Sequence, residues 1–180
     1  MVAYCFRFFW SILVIPAESV RYAHFDVTGA IANGRRVKPA DLDAAVDAYK
    51  LIGSAGICMP GIREQLANLL FRRGTTYRQL NEVDEAVADL EQADTTVRSL
   101  LACSPFESNQ WLSLAIIDAK RRGVGDKTFA ILNMSYLTGP REGWIIHRRM
   151  EFIATIARFL PDSIRRHHKN DQRVLRRVTN

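Results

Sequence analysis

The side chains with chemical reach in this protein are four histidines, three cysteines and a dense set of cations near the C-terminus. A hydrolase would need a nucleophile beside a base, and a metalloenzyme would need several ligands on one face. His24 stands two residues before Asp26, a spacing that shares no helix face. His147 lies beside Arg148 and Arg149, where it serves as a surface cation or a packing group. His167 and His168 are adjacent, so on a helix they point apart and cannot chelate as a pair. There is no G-x-S-x-G, H-E-x-x-H or P-loop, and Gly123-Val124-Gly125 follows no strand pattern that would make it a nucleotide loop. The residues therefore predict a protein that is not an enzyme and holds no metal or cofactor.

Cys5 falls in an apolar N-terminal stretch, while Cys58 and Cys103 each fall at a helix-to-helix junction. The absence of a CxxC or Cys/His cluster argues against zinc. Two readings of Cys58 and Cys103 stand open. They are buried free thiols, or they form a disulfide, which would require an oxidising compartment.

Charge is unevenly placed. The protein has a net charge of +6 at pH 7; residues 141–180 hold ten Lys or Arg and four Asp or Glu, and residues 1–140 hold fifteen of each. Arg165, Arg166, Lys169, Arg173, Arg176 and Arg177 recur within thirteen residues. On a helix, Arg166, Lys169, Arg173 and Arg176 or Arg177 line one face at spacings of three and four, suited to a phosphate backbone or anionic headgroups. No aromatic residue follows Phe159, so stacked bases would find no platform, which argues against nucleic acid. The plainer alternative is a solvated tail helix that frays.

The elements that must position these residues read as helices. Residues 1–17 form an apolar signal or membrane anchor: the run from Phe8 to Ala17 is about ten residues, short of the roughly 20 needed to span a bilayer. A buried first helix of a soluble domain is the competing reading. Residues 18–160 are expected to form the helical domain, and residues 161–180 a basic C-terminal helix or tail. Glu18–Gly34 has helical spacing, weakened by Gly29. In the next run Leu42, Ala45, Val46, Tyr49 and Ile52 follow the helical period, and Gly53 closes it. Ile62–Arg73 has Ile62, Leu66, Leu69 and Leu70 on one stripe, with Gly74 as its stop and residues 75–82 as a connector. Glu82–Cys103 places Val83, Ala86, Val87, Leu90, Ala93, Val97, Leu100 and Leu101 on one face, opposite an acidic face of Asp84, Glu85, Asp89, Glu91 and Asp94 that reads as solvated. Helices from Arg141 to Phe159 and from Pro161 complete the sequence.

Residues 104–140 have their own punctuation. Ser104 and Glu107 spell a capping box with Pro105 at the first helical position, Gly123 ends that helix, Asp126 caps the next, and Gly139-Pro140 stops it. Trp111, Leu114 and Ala115, followed by Leu132, Ser135 and Pro140, resemble a tetratricopeptide repeat, and Trp144 follows Trp111 by 33 residues. Asp118 stands where that family has Tyr, and Thr128 where it has a small residue. The resemblance covers about 80 residues. The sequence blocks RYAHFD, PADLDAA, Cys-Ser-Pro and MSYLTGPREGWI are also similar to small helical-repeat proteins found among bacterial exopolysaccharide genes.

The expected fold is all-α, with antiparallel helix hairpins stacked as a short tetratricopeptide-like array. The resemblance implies a non-catalytic adaptor for a protein partner, membrane-associated or exported, at a bacterial inner membrane or in its periplasm, in envelope polysaccharide production. In such repeats the first helices line a concave face, which puts Asn109, Gln110, Ser113 and Asp118, with Arg148 on the next first helix, at exposed groove positions. The alternative is a cytoplasmic helical module that binds an anionic membrane surface or nucleic acid through Arg166, Lys169, Arg173, Arg176 and Arg177.

Overall fold

The computed structural model describes residues 19, 23–33, 35, 37–53 and 58–178. The apolar segment 1–17 and Cys5 lie outside them. Among the described residues all regular structure is helical: α1 (Phe25–Ala32), α2 (Pro39–Gly53), α3 (Pro60–Gln79), α4 (Val83–Cys103), α5 (Ser108–Arg122), α6 (Asp126–Thr138), α7 (Gly143–Ile156), a 3-10 turn (Ala157–Phe159) and α8 (Asp162–Val178). None of these helices is long and apolar enough to cross a membrane. The protein divides into two compact units, residues 1–96 and 97–180, with the division inside α4.

In the first unit α2 and α3 pack as a hairpin. The stripe Leu42, Ala45, Val46, Tyr49 and Ile52 and the stripe Ile62, Leu66, Leu69 and Leu70 are buried, as the helical period requires. Gly74 does not stop α3, which runs on to Gln79. A Cβ at Gly74 would sit 3.1 Å from both the Ala86 carbonyl oxygen and the Asp89 Cβ, so the missing side group lets α4 approach. The stop is Asn81, whose φ of 70° puts it in the left-handed region that Asn tolerates. The Glu82 N–H bonds the Tyr77 carbonyl at 2.9 Å and the Asn81 N–H bonds the Arg78 carbonyl, which together close a Schellman turn. The connector before α4 is therefore three residues long, not eight.

In the second unit α5 and α6 form the hairpin that the punctuation predicts. Gly123, at φ 82°, ends α5. The start differs. Helix α5 begins at Ser108, and the Ser104 hydroxyl donates to the Glu107 carboxylate at 3.2 Å instead of capping a backbone N–H. Trp111 decides this: its indole N–H donates to the Pro105 carbonyl at 2.7 Å and holds residues 104–107 as a non-helical lead-in. Helix α6 is capped by Gly125, with Asp126 inside its first turn, where a carboxylate favours the helix dipole. Thr128 Oγ1 accepts from the Gly125 N–H at 3.4 Å.

At the open end of the hairpin the Ser108 hydroxyl donates to the Ser135 carbonyl at 2.8 Å. Gly139 lies against the same serine so closely that a Cβ would fall 2.5 Å from the Ser108 Cβ. Only glycine permits this approach. Helices α7 and α8 then pack on each other, with α7 against α5 and α8 against α6. Trp144, the sequence counterpart of Trp111, is 56% exposed and fills no groove.

Candidate binding surfaces

Helix α7 has a charged residue on its core stripe. Ile145, Ile146, Phe152, Ile153 and Ile156 are buried at helical spacing, and Arg149 falls among them, fully buried. Its guanidinium is held from all sides. Nε and Nη2 donate to the two Asp171 oxygens of α8 at 2.9 and 3.2 Å. Nη1 donates to the Ser135 and Gly139 carbonyls at 3.2 and 3.0 Å. The Ser135 carbonyl already accepts from the Ser108 hydroxyl and the Gly139 N–H, and Arg149 adds a donor to it and to the Gly139 carbonyl, so it helps to cap the end of α6 in addition to forming an ion pair. The Tyr136 ring lies 4.5 Å below the guanidinium, and His167 stacks on that ring at 4.7 Å. Burial pushes the Asp171 carboxyl above the usual carboxylate range, against the pull of the Arg149 hydrogen bonds. Burial also pushes the Tyr136 hydroxyl well above its ordinary range.

This network fixes α8. The C-terminal cations do not belong to a free tail. Ile164 and Asp171 are buried, while Arg165, Arg166, Lys169, Arg173, Arg176 and Arg177 are all exposed. At about 100° per residue the six cations fill an arc of roughly 120°, and Ile164 and Asp171 lie on the opposite side. Helix α8 has two acids. Asp171 is turned inward, and Asp162 in the first turn stands 4.0 Å from Arg165. From Arg166 to Arg177 the exposed residues are five cations and Asn170, with no exposed acid among them.

A second surface lies between α5 and α7. A cleft of about 450 Å³ is lined by Ile116, Ala119, Lys120, Val124, Arg148, Glu151, Phe152, Thr155 and Ile156. Its floor is apolar and its rim is charged.

The expected groove residues divide between two faces of α5. Arg148 lines the cleft and donates to Asn109 Oδ1, and Ser113 is half-buried on the same stripe as Ile116 and Lys120. The exposure expected of Asn109, Gln110 and Asp118 is not found: they are 6%, 3% and 1% exposed. Gln110 and Asp118 belong to the stripe of Leu114, which is buried. Asp118 has a task inside the hairpin, because Thr128 Oγ1 of α6 donates to its Oδ2 at 2.8 Å and Arg122 Nη1 to its Oδ1 at 2.7 Å. The two residues that depart from the repeat pattern, Asp118 and Thr128, are each other's partners.

The acidic face expected on α4 is also corrected. Asp84, Glu85 and Glu91 are exposed, but Asp89 and Asp94 are buried. Asp89 takes a two-pronged hydrogen bond from Arg73 of α3, at 2.8 and 2.6 Å, and Arg73 also reaches Asp43 of α2 at 3.1 Å. Tyr77 donates to Asp43 at 2.9 Å. The Asp89 hydrogen bonds raise the Arg73 guanidinium well above its ordinary value, and burial, followed by the bond to Asp43, raises Tyr77.

Cys58 and Cys103 are disulfide-bonded, and both residues are exposed, so the buried-thiol reading is set aside. His24 faces Tyr49 at a centroid distance of 6.5 Å, and His147 is exposed. His167 and His168 diverge as expected, toward Tyr136 and Gln172 respectively. Among the described residues no three His, Cys, Asp or Glu side groups gather as metal ligands. Comparison with known proteins finds no matching family model, curated relative or solved structure.

Proposed function

We propose that the protein is a non-catalytic adaptor whose working surface is the cleft between α5 and α7. The supporting observation is the cleft itself: an open hollow of about 450 Å³ between α5 and α7, the position at which a repeat-like array would receive a partner. Its chemistry suggests the ligand. Ile116, Phe152 and Ile156 offer an apolar floor, and Lys120 and Arg148 put two cations on the rim against one acid, Glu151. A partner segment with apolar residues flanked by carboxylates fits that pattern.

Peptides of this composition, selected for binding to the purified protein, provide the test. Replacing Lys120 and Arg148 by Glu is expected to weaken them on the order of 10-fold or more, while helical content stays unchanged. Amide shift changes on binding are expected to centre on α5 and α7. Unchanged affinity, or shifts confined to α8, would overturn the reading.

The disulfide-bonded state of Cys58 and Cys103 supports an oxidising compartment, and with it the exported or membrane-anchored form of this reading in a bacterial envelope. A role in polysaccharide production is part of the same proposal and rests on the sequence resemblance alone. Thiol labelling of fractionated cells tests the compartment. Protection of Cys58 and Cys103 until reduction is expected, and free thiols in a cytosolic fraction would exclude export.

A further inference from the structure

The cleft leaves the most strongly charged surface of the described residues without a task. We infer that the exposed face of α8 is a docking surface for an anionic phospholipid bilayer. Three observations support this. First, the face is a rod: α8 is 17 residues long, about 25 Å of helix. Its six cations share one arc over about 18 Å of that length, from Arg165 to Arg177, so they can meet a plane together. Second, the rod is fixed. The Arg149–Asp171 pair and the buried Ile164 hold the opposite side of α8 inside the unit. The cations are therefore presented at little further cost in conformational entropy. Third, the same polypeptide contains the apolar run Phe8–Ala17. Neither a short apolar segment nor a polybasic patch anchors a protein well alone, but the two together do.

Nucleic acid has the same phosphate chemistry. It is disfavoured because α8 presents no aromatic residue for stacking, and because an apolar segment adds nothing to binding a duplex.

The test uses the full-length protein with vesicles of phosphatidylcholine, alone or with a quarter phosphatidylglycerol. The apolar N-terminus can bind both kinds, so the quantity read is the preference for the anionic vesicle. That preference is expected to fall on the order of 10-fold between about 50 and about 200 mM salt. It is expected to vanish when Arg166, Lys169, Arg173 and Arg177 are all replaced by Gln, and to persist when the three arginines become Lys. The four residues are exposed, and far-UV circular dichroism checks that the variants stay folded. The salt titration of the unaltered protein stands by itself should the glutamine variant fail to fold. Equal binding to both vesicles, a preference insensitive to salt, or tighter binding to a DNA duplex than to anionic vesicles at the same salt would overturn the inference.

Discussion

Each unit is built around one arginine, and the two are handled in opposite ways. Arg73 in the first unit has two carboxylate partners, Asp89 and Asp43, and keeps 12% of its side group exposed, while Asp43 is 44% exposed. Arg149 in the second unit has one carboxylate, two backbone carbonyls and an aromatic face, and no exposure at all. Water can still solvate the first cluster when a partner is lost. In the second, each partner is irreplaceable, because a guanidinium sealed from water must find every hydrogen bond in the protein. The difference shows that two ion pairs of similar length differ in how much folding depends on them. The deciding factor is the access of water.

The largest test of this contrast is removal of the acids. Asp171→Ala leaves Arg149 charged and buried, and is expected to cost about 3–5 kcal/mol. Asp89→Ala leaves Arg73 with Asp43 and water, and is expected to cost about 1–2 kcal/mol. Urea unfolding of both variants reads the difference, and equal costs would break the comparison. The double variant Arg149→Met/Asp171→Leu sharpens it. Part of the loss should be recovered because no charge remains buried. The rest should persist because the Gly139 carbonyl loses its Arg149 donor, while Ser135 keeps the Ser108 hydroxyl.

A smaller effect separates the tyrosines. Tyr136 is raised far above its ordinary range by burial, whereas an unfolded tyrosine ionises near pH ~10. A hydroxyl whose folded-state value is raised contributes stability that is complete below the unfolded value and is lost as pH climbs above it. The second unit should therefore lose stability above pH ~10, by at most about 1.4 kcal/mol per pH unit from this group. Tyr136→Phe should flatten that slope. At neutral pH the same change should cost less than about 1 kcal/mol, because the hydroxyl has no hydrogen-bond partner among the described residues. Tyr77→Phe should cost more at neutral pH, since it removes the bond to Asp43, and should also reduce the alkaline loss, because Tyr77 too is raised by burial and by that bond. Thermal melts from neutral pH upward distinguish the two.

Much of the helical layout was legible because its causes are local. The stripes of α2 and α3 follow from spacing alone, and Gly123 ends α5 where it stands. The misreadings have local causes as well. Gly74 resembled a stop because glycine is a poor helix former, but its neighbour in space is α4, and the left-handed turn belongs to Asn81. Ser104 resembled a cap until Trp111 claimed the carbonyl of Pro105. The buried charges had left a mark in the sequence: Arg149 sits on a stripe of isoleucines, and Asp89 beside Ala86, Leu90 and Ala93. A charged residue at a core position signals a partner, without saying which one. The candidate cleft was only half legible. Of the residues expected in a groove, Arg148 lines the cleft, whereas Asn109, Gln110 and Asp118, expected to be exposed, are buried.

The sequence by itself determined that the protein is helical, where most helices run, and that its excess charge is concentrated in the last forty residues. These properties depend on residues a few positions apart, and a helix brings such residues together wherever it lies. The tertiary structure alone decided which polar residues would be buried, that Asp118 would meet Thr128, and that α8 would be held by Asp171 with its cations turned outward. Each of these joins residues ten to thirty positions apart. Such a pairing depends on how helices cross, and no local period records that.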